Sequence, residues 1–330
     1  MVRVRKSVAV VIPCFCERDR ILKVIASVGD EVDGIFVVDD GCPENTGSFV
    51  ENSCDDKRVQ VILGHFNRGV GGAVKLGYEQ ALQAGYKVII KLDGDGQHHG
   101  SDIRHVSNMV LDGEADYVKG NRFFFLESLA QMPRRRILGN AILALVSKFS
   151  TGYWSISDPS NGFTAIDATV LRRIPLSKVS DGYFFESDML FRLSTLRAKV
   201  LDVPMNSVYG DEVSYLKGSR ELLPFAKKSL LNFSKRVFYN YYLRGMTATS
   251  IELPLGILLT SFGVCFGLYN WVSSAQTGIP ASSGTVMLAA LPLVAGIQML
   301  IAVVSADILQ EPSQPIGPKL SGVTYPDELS

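Results

Sequence analysis

Two long apolar runs lie near the C-terminus of the chain. Residues 251–272 hold one charged side chain, Glu252, and residues 285–306 hold none. Each run has 22 residues, and a helix needs about 20 to cross a hydrocarbon core of about 30 Å. Two buried helices of a soluble protein are the alternative, although core helices seldom run this far without a charge. The pattern favours two membrane-spanning helices, joined as a hairpin by the short loop 273–284.

The flanks of these runs differ in charge. Residues 217–244 contain seven Lys and Arg against a single acid, Glu221, whereas the loop 273–284 contains no Lys or Arg. The positive-inside rule places the large N-terminal part in the cytoplasm, and the hairpin returns the C-terminus to the same side. We therefore expect a multi-pass protein of the inner (cytoplasmic) membrane, with its N-terminal domain and both termini in the cytoplasm.

Apolar and basic residues are interleaved between residues 219 and 245. This pattern predicts one or two amphipathic helices in the lipid headgroup layer, split near Pro224. A basic, solvated face on a soluble helix is the alternative. The last residues, 307–330, are polar and proline-rich, and we expect them to form a flexible tail.

The N-terminal part alternates between strand-length apolar runs and helical patterns. The predicted strands are 7–13, 34–40, 59–64 and 87–93, and the predicted helices include 18–28 and 71–84. This alternation predicts an α/β fold whose mostly parallel sheet is covered by helices on both faces. The predicted domains are an α/β domain (1–216), basic juxtamembrane helices (217–250), a transmembrane hairpin (251–306) and the tail (307–330).

Composition adds two constraints. The 33 basic and 33 acidic residues cancel, which excludes a generally basic nucleic-acid-binding protein. The five cysteines lack metal-type spacing, and Cys14-x-Cys16 is too close to be a CxxC redox motif. Because a cytoplasmic chain keeps its thiols reduced, we expect the cysteines to be structural bystanders.

Polar or glycine-rich segments follow each of the four predicted strands. They are Pro13-Cys14-Phe15-Cys16-Glu17, Asp39-Asp40-Gly41, Asn67-Arg68-Gly69-Val70-Gly71-Gly72 and Asp93-Gly94-Asp95-Gly96-Gln97-His98. Each segment alone fits an ordinary turn. Because ligands of parallel α/β sheets bind beyond the carboxyl ends of the strands, the four segments together predict one binding crevice.

Asp93 and Asp95 are separated by one residue, so both can reach one hard divalent cation. Mg²⁺ and Mn²⁺ take one or two carboxylates and complete their coordination with substrate phosphates and water. The neighbouring His98 and His99 point to opposite faces of an extended chain. We interpret the two histidines as surface residues or as residues behind the ligands.

The glycine-rich segment 67–72 is not a dinucleotide fingerprint. Its spacing, Gly69-x-Gly71-Gly72, differs from GxGxxG, and it follows the third strand instead of the first. These features argue against a nicotinamide enzyme. The glycines still permit close approach of the backbone to a ligand at a helix N-terminus.

Taken in order, the motifs resemble glycosyltransferase family 2, and within it the polyisoprenyl-phosphate glycosyltransferases, the branch that includes dolichyl-phosphate mannose synthase. The resemblance covers about residues 7–245. It rests on VVIPCFCE, VVDDG, NRGVGGAVKLGYEQA and KLDGDGQH, and continues through KGNR (119–122), MPRRRILGN (132–140), DPSNGF (158–163) and GYFFE (182–186). It implies a GT-A catalytic domain with a Rossmann-like, mostly parallel sheet, and the apolar hairpin fits the bacterial membrane-anchored members.

The resemblance also implies roles for individual residues. The donor nucleotide would be held by Pro13, Phe15, Glu17, Asp39, Asp40, Gly69 and Asp93, with Arg220 closing over the diphosphate. The metal would be held by Asp93, Asp95 and Gln97, and the acceptor phosphate by Arg122, Arg136 and Asn140. Catalysis would then depend on Asp93, Asp95, Arg122 and Arg136. Asp158 is implied near the donor sugar or the acceptor, and Glu186 and Asp188 near the acceptor; a helix-surface acid is the alternative for Asp188.

Three positions depart from the family pattern. Gly94 stands where the family usually has Ala, Cys16 where it usually has Asn, and Cys42 where it usually has Ser. These are exchanges of one small residue for another beside the expected ligands. They leave the implied reaction class intact and affect only local contacts.

The implied reaction is a metal-dependent, inverting transfer of a sugar from a UDP- or GDP-linked donor to a polyprenyl (undecaprenyl or dolichyl) monophosphate. Mg²⁺ or Mn²⁺ is the expected cofactor, and the product would serve cell-surface glycan or glycolipid assembly. The expected partners are the nucleotide sugar, the polyprenyl phosphate and the bilayer, with no nucleic acid. Bacterial relatives suggest a homotetramer.

Alternative functions stay open on the sequence. The chain could transfer a sugar to another membrane lipid or lipid-linked acceptor, or it could bind a nucleotide sugar without catalysis. A sugar-1-phosphate nucleotidyltransferase is disfavoured, because Pro-Cys-Phe-Cys-Glu stands where that class has a glycine-rich basic loop. Incubation with labelled nucleotide sugars and a lipid phosphate separates a transferase from a binding protein.

Overall fold

The computed structural model of the chain describes residues 7–96, 101–125, 134–205 and 218–320. Contacts divide these residues into two compact units. The first comprises residues up to Phe233 together with those from Pro312 onward, and the second comprises Ser234–Glu311. The α/β sheet belongs to the first unit and the two long apolar helices belong to the second.

Val- and Ile-rich runs form a seven-stranded sheet within the described residues. The strands are β1 (Val8–Cys14), β2 (Gly34–Asp39), β3 (Val59–Leu63), β4 (Val88–Lys91), β5 (Tyr117–Asn121), β6 (Thr164–Asp167) and β7 (Val200–Pro204). Their order across the sheet is β3-β2-β1-β4-β6-β5-β7. The pairings are parallel except that β6 runs antiparallel to β4 and β5, which confirms the predicted mostly parallel sheet.

Helices cover both faces of the sheet, as the buried apolar character of β1 and β2 requires. In the first unit they are α1 (Ile21–Ser27), α2 (Thr46–Ser53), α3 (Val70–Gln83), α4 (Ser101–Leu111), α5 (Arg134–Thr151), α6 (Ala168–Leu171) and α7 (Phe185–Leu196). Alternate β1 residues divide between two cores: Ala9 and Val11 pack with α3, whereas Val10 and Ile12 pack with α1.

The strand order brings three predicted site segments to one edge of the sheet. β2, β1 and β4 are parallel neighbours, so their carboxyl ends lie side by side. The last residue of β1, Cys14, pairs in register with Asp39 at the end of β2. The loop after β3 joins them through the hydrogen bond from the Gly64 N–H to the Asp39 carbonyl, 2.7 Å.

A single helix, α8 (Gly218–Phe238), occupies the basic stretch. It continues through Pro224, so the predicted split near that proline is wrong: the helix is long enough for its other hydrogen bonds to bridge the one that proline cannot donate. The polar Ser229 and Asn232 on α8 are buried, whereas Leu223 and Leu230 are exposed. The exposed leucines are the pattern of an interfacial amphipathic helix.

The second unit contains two helices long and apolar enough to cross a membrane, α9 (Ala248–Thr277) and α10 (Ser283–Leu309). Each continues through an internal proline and extends beyond its predicted run. Glycines line their contact: a Cβ on Gly263 would stand 2.8 Å from the Ala289 carbonyl oxygen. Such close approach of two backbones is how apolar helices associate without a polar interface.

The two ends of this helical pair meet. Arg236, before α9, donates to the Asp307 carboxylate near the end of α10 at 2.6 Å, and both side chains are buried. The Tyr241 hydroxyl donates to the same carboxylate at 2.5 Å. The chain therefore enters and leaves the pair at one end, as a hairpin must.

The C-terminal residues up to 320 are ordered, so the prediction of a flexible tail from residue 307 is wrong for this part. Residues 307–309 complete α10, and a short helix, α11 (Gly317–Leu320), follows. The buried Asp116 carboxylate accepts the backbone N–H groups of Ile316, at 2.9 Å, and Gly317, at 2.7 Å. This contact joins residues 200 positions apart, which sequence periodicity does not reveal.

We expect Asp116→Ala to release this C-terminal segment. The change leaves the N–H groups of Ile316, Gly317 and Lys199 without their carboxylate acceptor, a loss of about 1–3 kcal/mol in the free energy of unfolding. Limited proteolysis of the full chain should then cut between residues 310 and 320 faster than in the wild type. Asp112→Ala, an exposed aspartate at the end of α4, is the control; equal cleavage of both variants would contradict the proposed docking.

Candidate functional site

Two aspartates after β2 organise the predicted crevice. The Asp39 carboxylate accepts N–H groups from Cys42, at 2.7 Å, and Gly47, at 2.6 Å. The Asp40 carboxylate accepts the N–H groups of Arg68 and Gly69, both at 2.8 Å. Burial raises the pKa of Asp40, and the two hydrogen bonds oppose that rise. Each oxygen has a further lone pair, so this ordering of the loops is compatible with binding a ligand.

The glycine-rich segment before α3 contacts another part of the same chain. Gly69 has a φ of +86°, and a Cβ there would stand 2.7 Å from the Asp181 carbonyl oxygen. The Gly72 N–H donates to the same carbonyl at 3.1 Å. A Cβ on Gly71 would overlap the Ser180 carbonyl oxygen. The glycines therefore allow residues 180–182 to approach the N-terminus of α3, whereas the sequence interpretation assigned this closeness to a ligand.

Gly71→Ala should destabilise the first unit. The added methyl group would stand 2.8 Å from the Phe185 Cβ as well as against the Ser180 backbone, and such overpacking costs about 1–3 kcal/mol. The melting temperature of the full chain in detergent measures the effect. Gly139→Ala, within α5, is the control, because among the described residues nothing beyond its own stretch of helix lies within 4 Å of its Cβ position, and alanine favours a helix. A larger loss there would contradict the close packing at Gly71.

The loop after β1 presents an aromatic ring at the crevice edge. Phe15 is 43% exposed, although large apolar side chains in this unit are mostly buried. Pro13 is buried at the end of β1, and Glu17 is half-buried at the start of the turn leading to α1. An exposed ring beside carboxylates is suited to a nucleoside, because the ring stacks on a base and carboxylates accept hydroxyl donors.

Asp93 and Asp95 lie on the turn after β4, and both are half-buried. Their oxygens match the hard ligands that Mg²⁺ and Mn²⁺ prefer, so the two side chains fit such an ion. The Gly162 backbone packs directly against Asp93, since a Cβ on Gly162 would overlap its carboxylate. This contact brings the segment 158–163 to the acidic turn.

A buried lysine holds Asp93 from below. Lys91 is 1% exposed, and its Nζ lies 2.7 Å from Asp93 Oδ1 and 3.1 Å from Glu186 Oε1. Burial alone would lower the pKa of Lys91, but the two carboxylates raise it well above its ordinary value. Lys91 is therefore a fixed positive charge beneath the acidic turn, and it connects β4 to α7.

Lys119 on β5 is equally buried but differently surrounded. Its Nζ donates to the Asn161 carbonyl oxygen, and no carboxylate is its hydrogen-bond partner among the contacts described. Burial lowers the pKa of Lys119 to about 8, while Glu186 and Asp158 oppose the fall. Lys119 thus supports the segment 158–163 from the sheet side.

Arg122 forms a bidentate ion pair with Asp158. Its Nε lies 2.7 Å from Asp158 Oδ2 and its Nη2 lies 3.0 Å from Oδ1, with Asp158 fully buried. The predicted role of Arg122 was to grip an acceptor phosphate. The structure shows that its guanidinium fixes the loop that carries Asp158, and the phosphate-binding role stays a prediction.

Helix α5 carries the remaining acceptor residues of the prediction. Asn140 is half-buried on its second turn, and the backbone at Arg136 is helical. The helix then exposes four large apolar side chains at spacings of four, three and four residues: Leu138 (64%), Ile142 (56%), Leu145 (52%) and Phe149 (38%). They form one stripe along the helix.

Asp188 is not a helix-surface acid. It is 6% exposed, and its carboxylate accepts the Ser180 N–H at 3.0 Å and the Asn232 side-chain amide at 3.1 Å. The Lys228 Nζ reaches the Ser180 hydroxyl at 3.0 Å, and Phe225 packs edge-on against Phe184. The first part of α8 is therefore fixed to the segment that closes on α3.

Two cysteines that were expected to be bystanders touch at the crevice. The sulfur atoms of Cys16 and Cys42 lie 4.0 Å apart, and the Cys16 N–H donates to the Cys42 sulfur at 3.1 Å. Glu44 lies close enough that its carboxylate and both sulfurs are mutually within 4.8 Å. Cys14, by contrast, is buried among apolar side chains of β1 and its neighbours.

Comparison with known proteins decides the family. The model described as Glycosyl transferase family 2 matches residues 9–174, half of the chain. The chain belongs to glycosyltransferase family 2. It is 31% identical over 62% of its length to the polyprenol monophosphomannose synthase of Mycolicibacterium smegmatis, of which the match covers 78%. It is 25% identical over 67% of its length to the UDP-N-acetylglucosamine--dolichyl-phosphate N-acetylglucosaminyltransferase of Methanococcus voltae, with 92% of that protein covered.

A solved structure supports the fold. Glucosyl-3-phosphoglycerate synthase from Mycobacterium tuberculosis, in complex with Mn²⁺, UDP and phosphoglyceric acid, matches with a TM-score of 0.51 and 17% identity. The match covers 70% of this chain and 78% of that one. The family membership and this GT-A fold make the chain a glycosyltransferase, which confirms the enzyme class predicted from the motifs.

Some of the predicted site residues lie outside the described part of the structure. Gln97, His98 and His99 are outside the described residues, and the side chains of Arg136 and Arg220 are not described. Sequence reasoning missed Lys91 and Lys119. The signal for Lys91 was present, because a lysine interrupts an otherwise apolar strand two residues before Asp93.

Proposed function

We propose that the chain is a membrane-bound transferase that moves a sugar from a nucleotide-diphosphate sugar to a polyprenyl monophosphate, with inversion at the anomeric carbon. The main observation in favour of a lipid acceptor is the exposed apolar stripe on α5. It begins beside Asn140 and the three arginines 134–136, so a phosphate-binding segment is followed directly by an apolar track. From residue 138 to 149 the track measures about 16 Å at 1.5 Å per residue.

The proposed acceptor residues are Arg122, Arg136 and Asn140. A guanidinium presents a planar fork of donors that suits a phosphate. Asp158 holds two of the Arg122 donors, so the arginine is fixed in one orientation before the acceptor arrives. The relatives named for polyprenol and dolichyl phosphate support a lipid phosphate as acceptor.

The proposed donor site is formed by Pro13, Phe15, Glu17, Asp39, Asp40, Gly69 and Asp93, with Arg220 closing over the diphosphate. Phe15 would stack on the base, and the carboxylates after β2 would accept hydroxyl groups of the ribose. The relatives act on different sugars, so they leave the sugar of this chain undecided.

Asp93, Asp95 and Gln97 would hold a Mg²⁺ or Mn²⁺ ion, which would neutralise charge on the departing diphosphate. Lys91 keeps the Asp93 carboxylate in place from the buried side. The acceptor phosphate oxygen forms a bond to the anomeric carbon as the bond from that carbon to the diphosphate breaks. Because the phosphate is already an anion at neutral pH, the reaction has little need of a strong general base.

The membrane arrangement is part of the proposal. The hairpin α9–α10 would span the inner membrane, with the catalytic domain and both termini in the cytoplasm, and the protein would assemble as a homotetramer. The excess of basic residues on the sequence before α9, and their absence from residues 273–284, support this orientation. The exposed Leu223 and Leu230 of α8 would lie in the headgroup layer.

Release of nucleoside diphosphate tests the proposed chemistry. Purified full chain in detergent is supplied with a panel of UDP- and GDP-sugars, with and without undecaprenyl phosphate. We expect one donor to release its nucleoside diphosphate only when the lipid phosphate is present, and the release to stop with EDTA and resume with Mg²⁺ or Mn²⁺. Release that is indifferent to the lipid phosphate for every donor would overturn the proposed acceptor.

A further inference from the structure

Cys16 and Cys42 are brought together by the edges of two neighbouring strands. Cys16 follows β1 and Cys42 follows β2, and the final residues of these strands, Cys14 and Asp39, are register partners. The two sulfur atoms are in contact distance at 4.0 Å. Cys16 lies between the proposed nucleotide-binding residues Phe15 and Glu17, and Cys42 is three residues after Asp39, another of them.

The two thiols differ in chemical environment. Burial opposes ionisation of Cys42, but hydrogen bonds from the Thr46 hydroxyl and from the N–H groups of Thr46, Cys16 and Glu44 lower its pKa. Partial desolvation and the hydrogen-bonded contact with the Cys42 side chain raise the pKa of Cys16 to about 11. Cys16 is exposed, whereas Cys42 is buried. The pair therefore combines an accessible thiol with a neighbouring sulfur whose anion is stabilised by N–H donors.

The other three cysteines are poor candidates for a disulfide with Cys16 or Cys42. Cys14 is buried, and desolvation raises its pKa far above the ordinary value, so it stays a thiol. Cys54 follows the C-terminal end of α2, and Cys265 lies within α9 of the second unit.

We propose that Cys16 and Cys42 are a reversible disulfide site that controls binding of the donor nucleotide. The proposal rests on the proposed function, because it assigns regulation to the same crevice. A low-molecular-weight disulfide, R–S–S–R, is the oxidant. No feature of the family pattern provides such a pair, since the family usually has Asn and Ser at these two positions.

The exchange balances in two steps. The exposed Cys16 sulfur attacks one sulfur of R–S–S–R while its proton passes to the departing sulfur, which breaks the S–S bond, releases one R–SH and leaves a mixed disulfide on Cys16. The Cys42 thiolate then attacks the Cys16 sulfur and releases the other R group as R–S⁻. The two cysteines together lose two electrons and two protons, and R–S–S–R gains them as two R–SH.

Closure of the bond must change the crevice. A disulfide holds its sulfurs at about 2.05 Å, so the 4.0 Å separation shortens by about 2 Å. The loop that carries Phe15 and Glu17 is then tied to the loop whose Cys42 N–H binds Asp39. The hydrogen bond from the Cys16 N–H to the Cys42 sulfur must rearrange as the two loops move. We expect the oxidised protein to bind the nucleoside diphosphate about tenfold more weakly or worse.

The test uses the full chain in detergent and glutathione disulfide as the oxidant. Peptide mass spectrometry should find a Cys16–Cys42 cross-link, and titration with UDP and GDP should show weaker binding that dithiothreitol restores. Cys16→Ser and Cys42→Ser should lose the cross-link, and Cys16→Ser should bind the nucleotide equally with and without oxidant. Cys54→Ser is the control and should keep both the cross-link and the change in affinity.

Each outcome separates the two proposals. No Cys16–Cys42 cross-link overturns the disulfide site, whatever the activity of the enzyme. A cross-link with unchanged nucleotide affinity overturns the regulation and leaves the proposed function standing. A reduced wild-type protein that binds neither UDP nor GDP overturns the proposed donor site and the regulation together.

Discussion

Asp95→Ala is expected to reduce sugar transfer about a thousandfold or more. The variant removes one of the two carboxylates on the acidic turn after β4, which in the proposed function would hold the metal ion that neutralises the departing diphosphate. Asp95 is half-buried on a turn, so the fold should tolerate the change. The measurement is the initial rate of labelled lipid formation in membranes supplied with donor sugar and lipid phosphate.

The control for this variant is Asp55→Ala. Asp55 is exposed before β3 and lies outside the crevice, so its loss should not affect the reaction. The change to alanine removes the same charge as Asp95→Ala does. We expect the Asp55 variant to retain wild-type rates, and both variants to melt within a few degrees of the wild type. Near-wild-type transfer by the Asp95 variant would show that this carboxylate does not serve the reaction.

Lys91→Met should lower the free energy of unfolding by about 3–5 kcal/mol. The change leaves the Asp93 and Glu186 carboxylates beside each other without their buried cation. Loss of one partner of a buried ion pair is costly because the remaining charge loses its counter-charge at a place where little solvent can replace it. The apparent melting temperature of the full chain in detergent should fall by about 10 °C.

Lys91 is a positioning residue, so its effect should extend beyond stability. We expect the Lys91→Met variant to need more Mg²⁺ or Mn²⁺ for half-maximal transfer, because Asp93 is no longer held. Lys91→Arg should recover part of the stability and metal response, and the double variant Lys91→Met with Glu186→Gln should be more stable than Lys91→Met alone. If the Lys91→Met variant needed no more metal ion than the wild type for half-maximal transfer, Lys91 would serve only stability.

Local pattern was sufficient for the first half of the sheet. β1 to β4 lie within about three residues of their predicted ends, because each is a Val- and Ile-rich run that ends in polar residues. β5, β6 and β7 were missed. Each has four or five residues and includes charged or small side chains, such as Lys119 in β5 and Asp202 in β7. Their strand conformation depends on neighbours supplied by distant parts of the chain.

The site shows the same division. The segments at the ends of β1, β2, β3 and β4 could be assigned to one edge, because parallel neighbours must end together. The contacts that fix them could not. Lys91 meets Glu186 across 95 positions, and Cys16 meets Cys42 across 26. Sequence spacing carries no information on such pairs, so the contact partners of the two buried lysines and the cysteine pair appeared only in the fold.

The two C-terminal apolar helices are longer than predicted, and residues 307–320 are ordered where a flexible tail was predicted. The two helices extend beyond their predicted apolar runs, because polar residues such as Thr247 and Ser282 cap them outside those runs. The segment after α10 is Pro-rich and polar, which favours disorder. The buried Asp116 nevertheless orders it through backbone N–H groups, and backbone donors are the same for every sequence except at proline.

Mass spectrometry of the lipid product tests the central claim most directly. Purified full chain in lipid nanodiscs is incubated with undecaprenyl phosphate and each of the UDP- and GDP-sugars. The molecular masses of the extracted lipids are then measured. We predict a new lipid whose mass is that of the polyprenyl phosphate plus one sugar, formed with one donor and absent when undecaprenol replaces the phosphate. Transfer to undecaprenol, or no sugar-phosphate lipid with any donor, would contradict the account.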